Sequence, residues 1–209
     1  EYYKILVYGQ SGTGKTTFSC DFPNSILIDL ERGKGVNKPD LHVTVDSYQE
    51  LQKFIELLIS DKNFSPYETI IIDSLNELIE VIIRDVVLGY NANRPYDDQL
   101  TMSDYGKINR EVMQFLRNLF DKLSHRFNII IICGEQPIKY QDEQKQPQMI
   151  GNVLPVSIPR LMDVVLCTFT QKDSHYFTMA STSFAYAKNR LRISGKDGIG
   201  SLTYNSFEN

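Results

Sequence analysis

The run Gly9-Gln10-Ser11-Gly12-Thr13-Gly14-Lys15-Thr16 satisfies G-x-x-x-x-G-K-[ST] at every fixed position. These residue types at this spacing suit the holding of a polyphosphate. Glycines let successive backbone N–H groups converge on phosphate oxygens, and a helix starting near Gly14 adds partial positive charge. Lys15 would then meet the β- and γ-phosphates, and the Thr16 hydroxyl would ligate Mg²⁺. Thr17 follows as a further contact. The candidate cradle is the whole run from Gly9 to Thr17, with ATP and Mg²⁺ as the implied cofactors.

Acidic and amide side chains later in the chain could complete such a site. Glu68-Thr69-Ile70-Ile71-Ile72-Asp73 reads as a Walker B strand whose terminal Asp73 would hold the metal shell, through water. Hydrolysis needs a base that orients the attacking water. Asp29 and Glu31, two apart, point to one side of an extended chain. Glu31 is the candidate base and Asp29 the fallback. After a further apolar run comes Cys133-Gly134-Glu135-Gln136. There Gln136 or Glu135 would touch the γ-phosphate or its water. All these groups follow the carboxyl end of a strand candidate, and in a parallel sheet those ends share the ligand-binding edge.

The elements that must position them are legible as alternating strands and helices. Strand candidates are Lys4–Tyr8, Ser25–Leu30, Glu68–Asp73 and Asn128–Cys133, the last with four consecutive isoleucines. Continuous β-branched runs suit strands buried on both faces, as in a parallel sheet. Ser47 with Glu50, and Ser74 with Glu77, make capping-box patterns ahead of apolar stripes. A third helix is expected over about Ser103–His125. In the last third, Asp163–Thr170, His175–Ala180 and Phe184–Ile193 look like strands that extend the sheet as antiparallel members. Gly89–Met102 and Gln136–Pro155 look like long irregular loops, which are usually functional or disordered. The expected fold class is α/β in a single domain over residues 1–209: a mainly parallel sheet, helices on both faces, and antiparallel strands at its C-terminal end.

Composition narrows the function classes. The chain has 209 residues, 42% of them hydrophobic and 23% charged, so it can bury a full core. The net charge of −4 means that nucleic acid, if bound, must meet a local patch. Three cysteines without paired short spacing argue against a disulfide scaffold and fit a reducing cytoplasm. No apolar run approaches the ~18 residues of a membrane helix, so no membrane role is expected. The sequence begins at Glu1 rather than Met, and the expectation is that an N-terminal stretch precedes it; no signal peptide is visible.

Taken in order, these motifs resemble the RecA-like P-loop ATPases, and among them the small phage-encoded, core-only proteins linked to single-strand annealing. In that family the second strand ends in Asp-x-Glu, matched by Asp29-Leu30-Glu31, and the Walker B strand ends in Asp-Ser, matched by Asp73-Ser74. The fourth strand leads to a nucleotide-sensing Gln that opens a DNA-binding loop, matched by Gln136 and the stretch to Pro155. A late Lys-Asn-Lys/Arg segment reaches the ATP of the neighbouring subunit, matched by Lys188-Asn189-Arg190. The resemblance implies an Mg²⁺-dependent ATPase that acts on single-stranded DNA in recombination or annealing and forms a homo-oligomer with ATP at the subunit interface. A phage or host single-strand-binding protein is a further implied partner, and the host-cell cytoplasm the implied location. The family's extra polymerisation domain is not visible here.

Basic and aromatic residues carry the remaining readings. Lys188 and Arg190 alternate with Phe184 and Tyr186 and could stabilise phosphate charge in trans, or simply protect a solvated edge strand. Lys139, Tyr140 and Lys145 in one loop, and Arg94 and Tyr96 in the other, could track a phosphate backbone and stack bases. Asn37-Lys38-Pro39-Asp40 matches a guanine-reading string but precedes the Walker B strand, where GTPases place it after. Two other functions fit the P-loop: an ATP-driven protein remodeller or replication loader, and a small-molecule kinase. The second usually needs an arginine-bearing lid, and Gln136–Pro155 contains no arginine.

Overall fold

The computed structural model describes residues 1–33, 39–89, 100–138, 141–172, 174–191 and 199–201. Isoleucine-, leucine- and valine-rich segments form the strands β1 (Lys4–Gly9), β2 (Ser25–Asp29), β3 (Leu41–Thr44), β4 (Thr69–Asp73) and β5 (Asn128–Cys133). A polar hairpin follows, β6 (Glu135–Ile138) and β7 (Gln141–Pro147), and then β8 (Val164–Gln171), β9 (Ser174–Thr178), β10 (Lys188–Asn189) and β11 (Ile199–Ser201). The helices are α1 (Lys15–Cys20), α2 (Tyr48–Ser60), α3 (Leu75–Ile82), α4 (Met102–Leu123) and α5 (Leu154–Leu161). A π-helical turn over Ile83–Val87 extends α3.

The main sheet runs β11-β9-β8-β1-β5-β4-β2-β3, with β10 pairing β8. From β8 to β3 every neighbour is parallel. Strands β9, β10 and β11 join antiparallel at the β8 end. The central strands are buried along most of their length, as their unbroken apolar runs require. α1 covers one face through Phe18, against Val7, Ile132 and Phe177. The other face carries α2 to α5, with Leu51, Leu78, Leu116 and Ile158 packed on Leu6, Ile72 and Ile131.

Helix starts follow the expected chemistry. Ser47 accepts from Glu50 N, and Ser74 accepts from Glu77 N. Thr101 and Asp104 make a reciprocal capping box at the head of α4.

Three expectations need correction. β8 is parallel to β1, because α5 crosses over between β7 and β8 and returns the chain in the same direction. Gln136–Pro155 is no irregular loop: it contains the antiparallel β6–β7 hairpin and the start of α5. Among the described residues of Phe184–Ile193 only Lys188–Asn189 forms a strand, and Ala185 makes an isolated bridge to Lys145.

Candidate functional site

The carboxyl ends of β1, β2, β4 and β5 meet along one sheet edge, and the chain leaves each of them into a turn or helix. The turn after β1 requires glycine at three places, Gly12 by its φ of 80°. A Cβ on Gly9 would lie 2.4 Å from the Thr168 carbonyl oxygen, so only hydrogen fits where β1 passes β8. Gly14 caps α1 with φ of 85°, a left-handed conformation that side chains disfavour. The turn is braced from inside. The Thr13 hydroxyl donates to Gln10 O at 2.8 Å and lies 2.7 Å from the Thr168 hydroxyl.

The result is a cleft of about 780 Å³ lined by the glycine-rich turn, Lys15, Thr16 and Thr17. Glu31, Asp73, Ser74 and Asn76 also line it, as do Gly134, Glu135, Gln148 and His175. Lys15 Nζ donates to Gly9 O at 3.0 Å and Gln10 O at 2.7 Å, curled back on its own turn. Burial lowers its pKa, against the opposing pull of Asp73 and Glu31. The Thr16 hydroxyl donates to Asp73 Oδ2 at 2.6 Å. Burial pushes the Asp73 carboxyl up to about 6, helped by nearby Glu31 and Asp29 and opposed by the Thr16 hydrogen bond and Lys15.

The oxygen donors suit Mg²⁺. Thr16 and Asp73 supply a hydroxyl and a carboxylate in contact, hard ligands of the kind this ion takes together with phosphate oxygens. Charge gives a second reason. Among the described residues that line the cleft, Lys15 is the one lysine or arginine, against Glu31, Asp73 and Glu135. A triphosphate brought among three carboxylates needs a divalent cation beside it. Among the described residues no group of three or more His, Cys, Asp or Glu could hold a metal ion by itself.

The structure brings Gly9 through Thr17 (Thr13 buried within the turn), Glu31 and Asp73 together, and separates others from them. Asp29 lines no part of the cleft; it is buried and pairs with His42 Nε2 at 2.9 Å, which turns it away from the work of a free base. Glu31 is exposed at the cleft. Gln136 does not line the cleft: its Oε1 faces Met149 N at 3.4 Å, while its neighbour Glu135 does face the cleft. In a strand, successive side chains alternate sides, so only one of the two can look inward.

Lys188 is committed within its own chain. Its Nζ donates to Pro159 O, Arg160 O and Met162 O at 2.8, 3.1 and 2.6 Å, which caps the carbonyl end of α5. Arg190 Nη2 lies beside Arg160 O. Lys145 is knit by its backbone to Phe184 O and Tyr186 N. Arg94, Tyr96, Lys139 and Tyr140 lie outside the described residues. Asn76, Gln148 and His175 are cleft residues that the sequence reading passed over. Asn76 had a signal, its place one turn into the helix after Asp73; Gln148 and His175 had none before the hairpin and β9 were folded.

No curated protein matches the chain in sequence. Among solved structures, the crystal structure of the RadB recombinase superposes with a TM-score of 0.51 at 15% identity, covering 94% of this chain and 84% of that one. The likeness at that identity is one of fold, and it agrees with a RecA-like P-loop core. No helix among the described residues is long and apolar enough to cross a membrane. Residues 1–191 match the AAA domain family, so this chain, with its phosphate turn, Walker carboxylate and parallel core, belongs to that family.

Proposed function

We propose that the protein binds Mg²⁺·ATP in this cleft, hydrolyses it, and uses the cycle to act on single-stranded DNA in recombination or annealing of a phage type. The observation that carries this reading is the Thr16–Asp73 contact beside Lys15, with Glu31 exposed in the same cleft. The turn's N–H groups and Lys15 would grip the phosphates; Lys15 must release Gly9 O and Gln10 O to do so. Thr16 would hold Mg²⁺ directly and Asp73 through its shell, and the ion would neutralise charge on the phosphates. Glu31 would accept a hydrogen bond from a water and orient it toward the terminal phosphate. Gln10 to Gly14 supply backbone donors and exclude solvent from the inner phosphates.

The DNA part of the proposal rests on the β6–β7 hairpin, with Lys145 on it, and on the basic and aromatic types of Arg94, Tyr96, Lys139 and Tyr140 in the sequence. Asp142 and Glu143 in the same hairpin favour a second reading, an ATP-driven remodeller or loader whose hairpin contacts protein. Glu31→Gln should keep ATP affinity and lose turnover about 100-fold or more. Near-normal hydrolysis by that variant would remove Glu31 as the base. Rates measured with and without single-stranded DNA at low salt separate the two readings, since phosphate contacts weaken steeply as salt rises. Stimulation by DNA supports the first; stimulation only by a protein partner supports the second.

A further inference from the structure

The hairpin is pinned to the cleft at its base by one side chain. Asn76 Oδ1 accepts from Gly134 N at 3.0 Å, just before β6 begins. The same amide donates through Nδ2 to Gln148 O at 3.2 Å, just after β7 ends. Gln148 N in turn donates to Gly134 O at 2.8 Å, which closes the base of the hairpin. Asn76 sits in the first turn of α3, three residues after Asp73. The metal-side carboxylate and both ends of the hairpin therefore share one support.

The side chain of Gln148 lies against Gly134: a Cβ on Gly134 would stand 2.3 Å from Gln148 Oε1. Gly134 has no left-handed conformation to explain the glycine. The missing Cβ is what leaves room for the Gln148 amide, which is exposed and lines the cleft with Lys15 and Asp73. An amide oriented in this way can offer N–H donors to an anion without adding charge to a cleft already rich in carboxylates.

We infer that Gln148 is the hairpin's contact with the terminal phosphate, set in place by Asn76 and by the space above Gly134. Gln148 follows β7 directly and its N–H closes the hairpin's base on Gly134 O, so a phosphate contact at its side chain reaches the hairpin. Asn76 is a positioning residue and acts through Gln148. The inference rests on the reading of the cleft as an ATP site, and its test separates the two.

The readout is the ratio of affinities for a non-hydrolysable ATP analogue and for ADP, both with Mg²⁺. Gln148→Ala should lower that ratio about tenfold, the worth of a hydrogen bond to a charged group, and leave ADP affinity within twofold. Gly134→Ala keeps Gln148 but pushes its amide aside, so it should produce the same loss. In the double variant the second change should cost nothing further, because both act through one contact. Asn76→Ala should lower the ratio in part. An unchanged ratio in Gln148→Ala, or fully additive losses in the double variant, would overturn the inference while wild-type ATP binding stands. Failure of the wild type to bind either nucleotide would instead remove the ATP site itself.

Discussion

At the scale of single residues, Asp73 carries the cost of a buried carboxylate. Its carboxyl is 9% exposed, and its pKa rises from 3.8 to about 6. Below pH 3.8 the group is protonated whether the chain is folded or not, and its favourable contribution is complete. As pH climbs through 6 the folded protein must ionise a buried group that the unfolded chain ionises freely, and the contribution is lost. Asp73→Asn keeps an oxygen for the Thr16 hydroxyl and removes the charge. The nucleotide-free variant should therefore match wild type near pH 4 and exceed it by up to about 3 kcal/mol at pH 7. Urea unfolding across that range checks the sign. A variant less stable than wild type at pH 7 would show that the carboxylate is stabilised in place. On the proposed reading Mg²⁺·ATP binding should weaken in the same variant, since the carboxylate's charge would no longer face the cation.

Elements differ in how plainly the sequence announces them. β1, β4 and β5 are legible because strands buried on both faces must be apolar without interruption. The start of α4 is set by Thr101: its hydroxyl accepts from Asp104 N, and Asp104 Oδ2 accepts from Thr101 N at 2.8 Å. Thr101→Ala should cost about 1–2 kcal/mol of stability, seen as a lower urea midpoint with an unchanged slope. β3 is harder to see: its four residues are only half-buried in alternation, and it sits at the sheet edge. The β6–β7 hairpin is nearly invisible, because Glu-Gln-Pro-Ile and Gln-Asp-Glu-Gln-Lys-Gln-Pro carry no apolar period. Its place is decided by distant partners: the Tyr8 hydroxyl within reach of Lys145 O and Tyr186 O, and Asn76 at its base. α5 is masked by Pro155 and Pro159, which read as loop residues although Pro155 stands in the first turn, where no N–H is needed. With α5 missed, the direction of β8 could not be read. The site divides along the same line. The phosphate turn, Asp73 and Glu31 are short-range patterns, whereas Gln148 and His175 reach the cleft only through tertiary folding.

At the scale of the whole molecule, the balance of charge in the cleft bears on assembly. Phosphoryl transfer spreads negative charge over the terminal phosphate and its leaving oxygen, and P-loop enzymes commonly meet it with a second cation beyond the P-loop lysine. Among the described cleft-lining residues Lys15 is the one lysine or arginine, and His175 lines the same cleft. Lys188 is spent on the carbonyls of α5. Glu31 is exposed at the cleft, which leaves the proposed nucleotide site accessible to a second copy of the chain. On the proposed reading a single subunit should then bind Mg²⁺·ATP and hydrolyse it slowly, and contact with another subunit should add a donor and exclude water. Specific activity should rise with protein concentration by tenfold or more, and light scattering should show larger species with a non-hydrolysable ATP analogue than with ADP. Glu31→Gln should assemble as well as wild type, because binding rather than turnover closes the interface. A rate per molecule that stays flat from nanomolar to tens of micromolar, with a monomer at every nucleotide state, would mean that one chain completes the site by itself. In that case the donors to the terminal phosphate all belong to one chain, and His175, which lines the cleft, is the side chain to replace next.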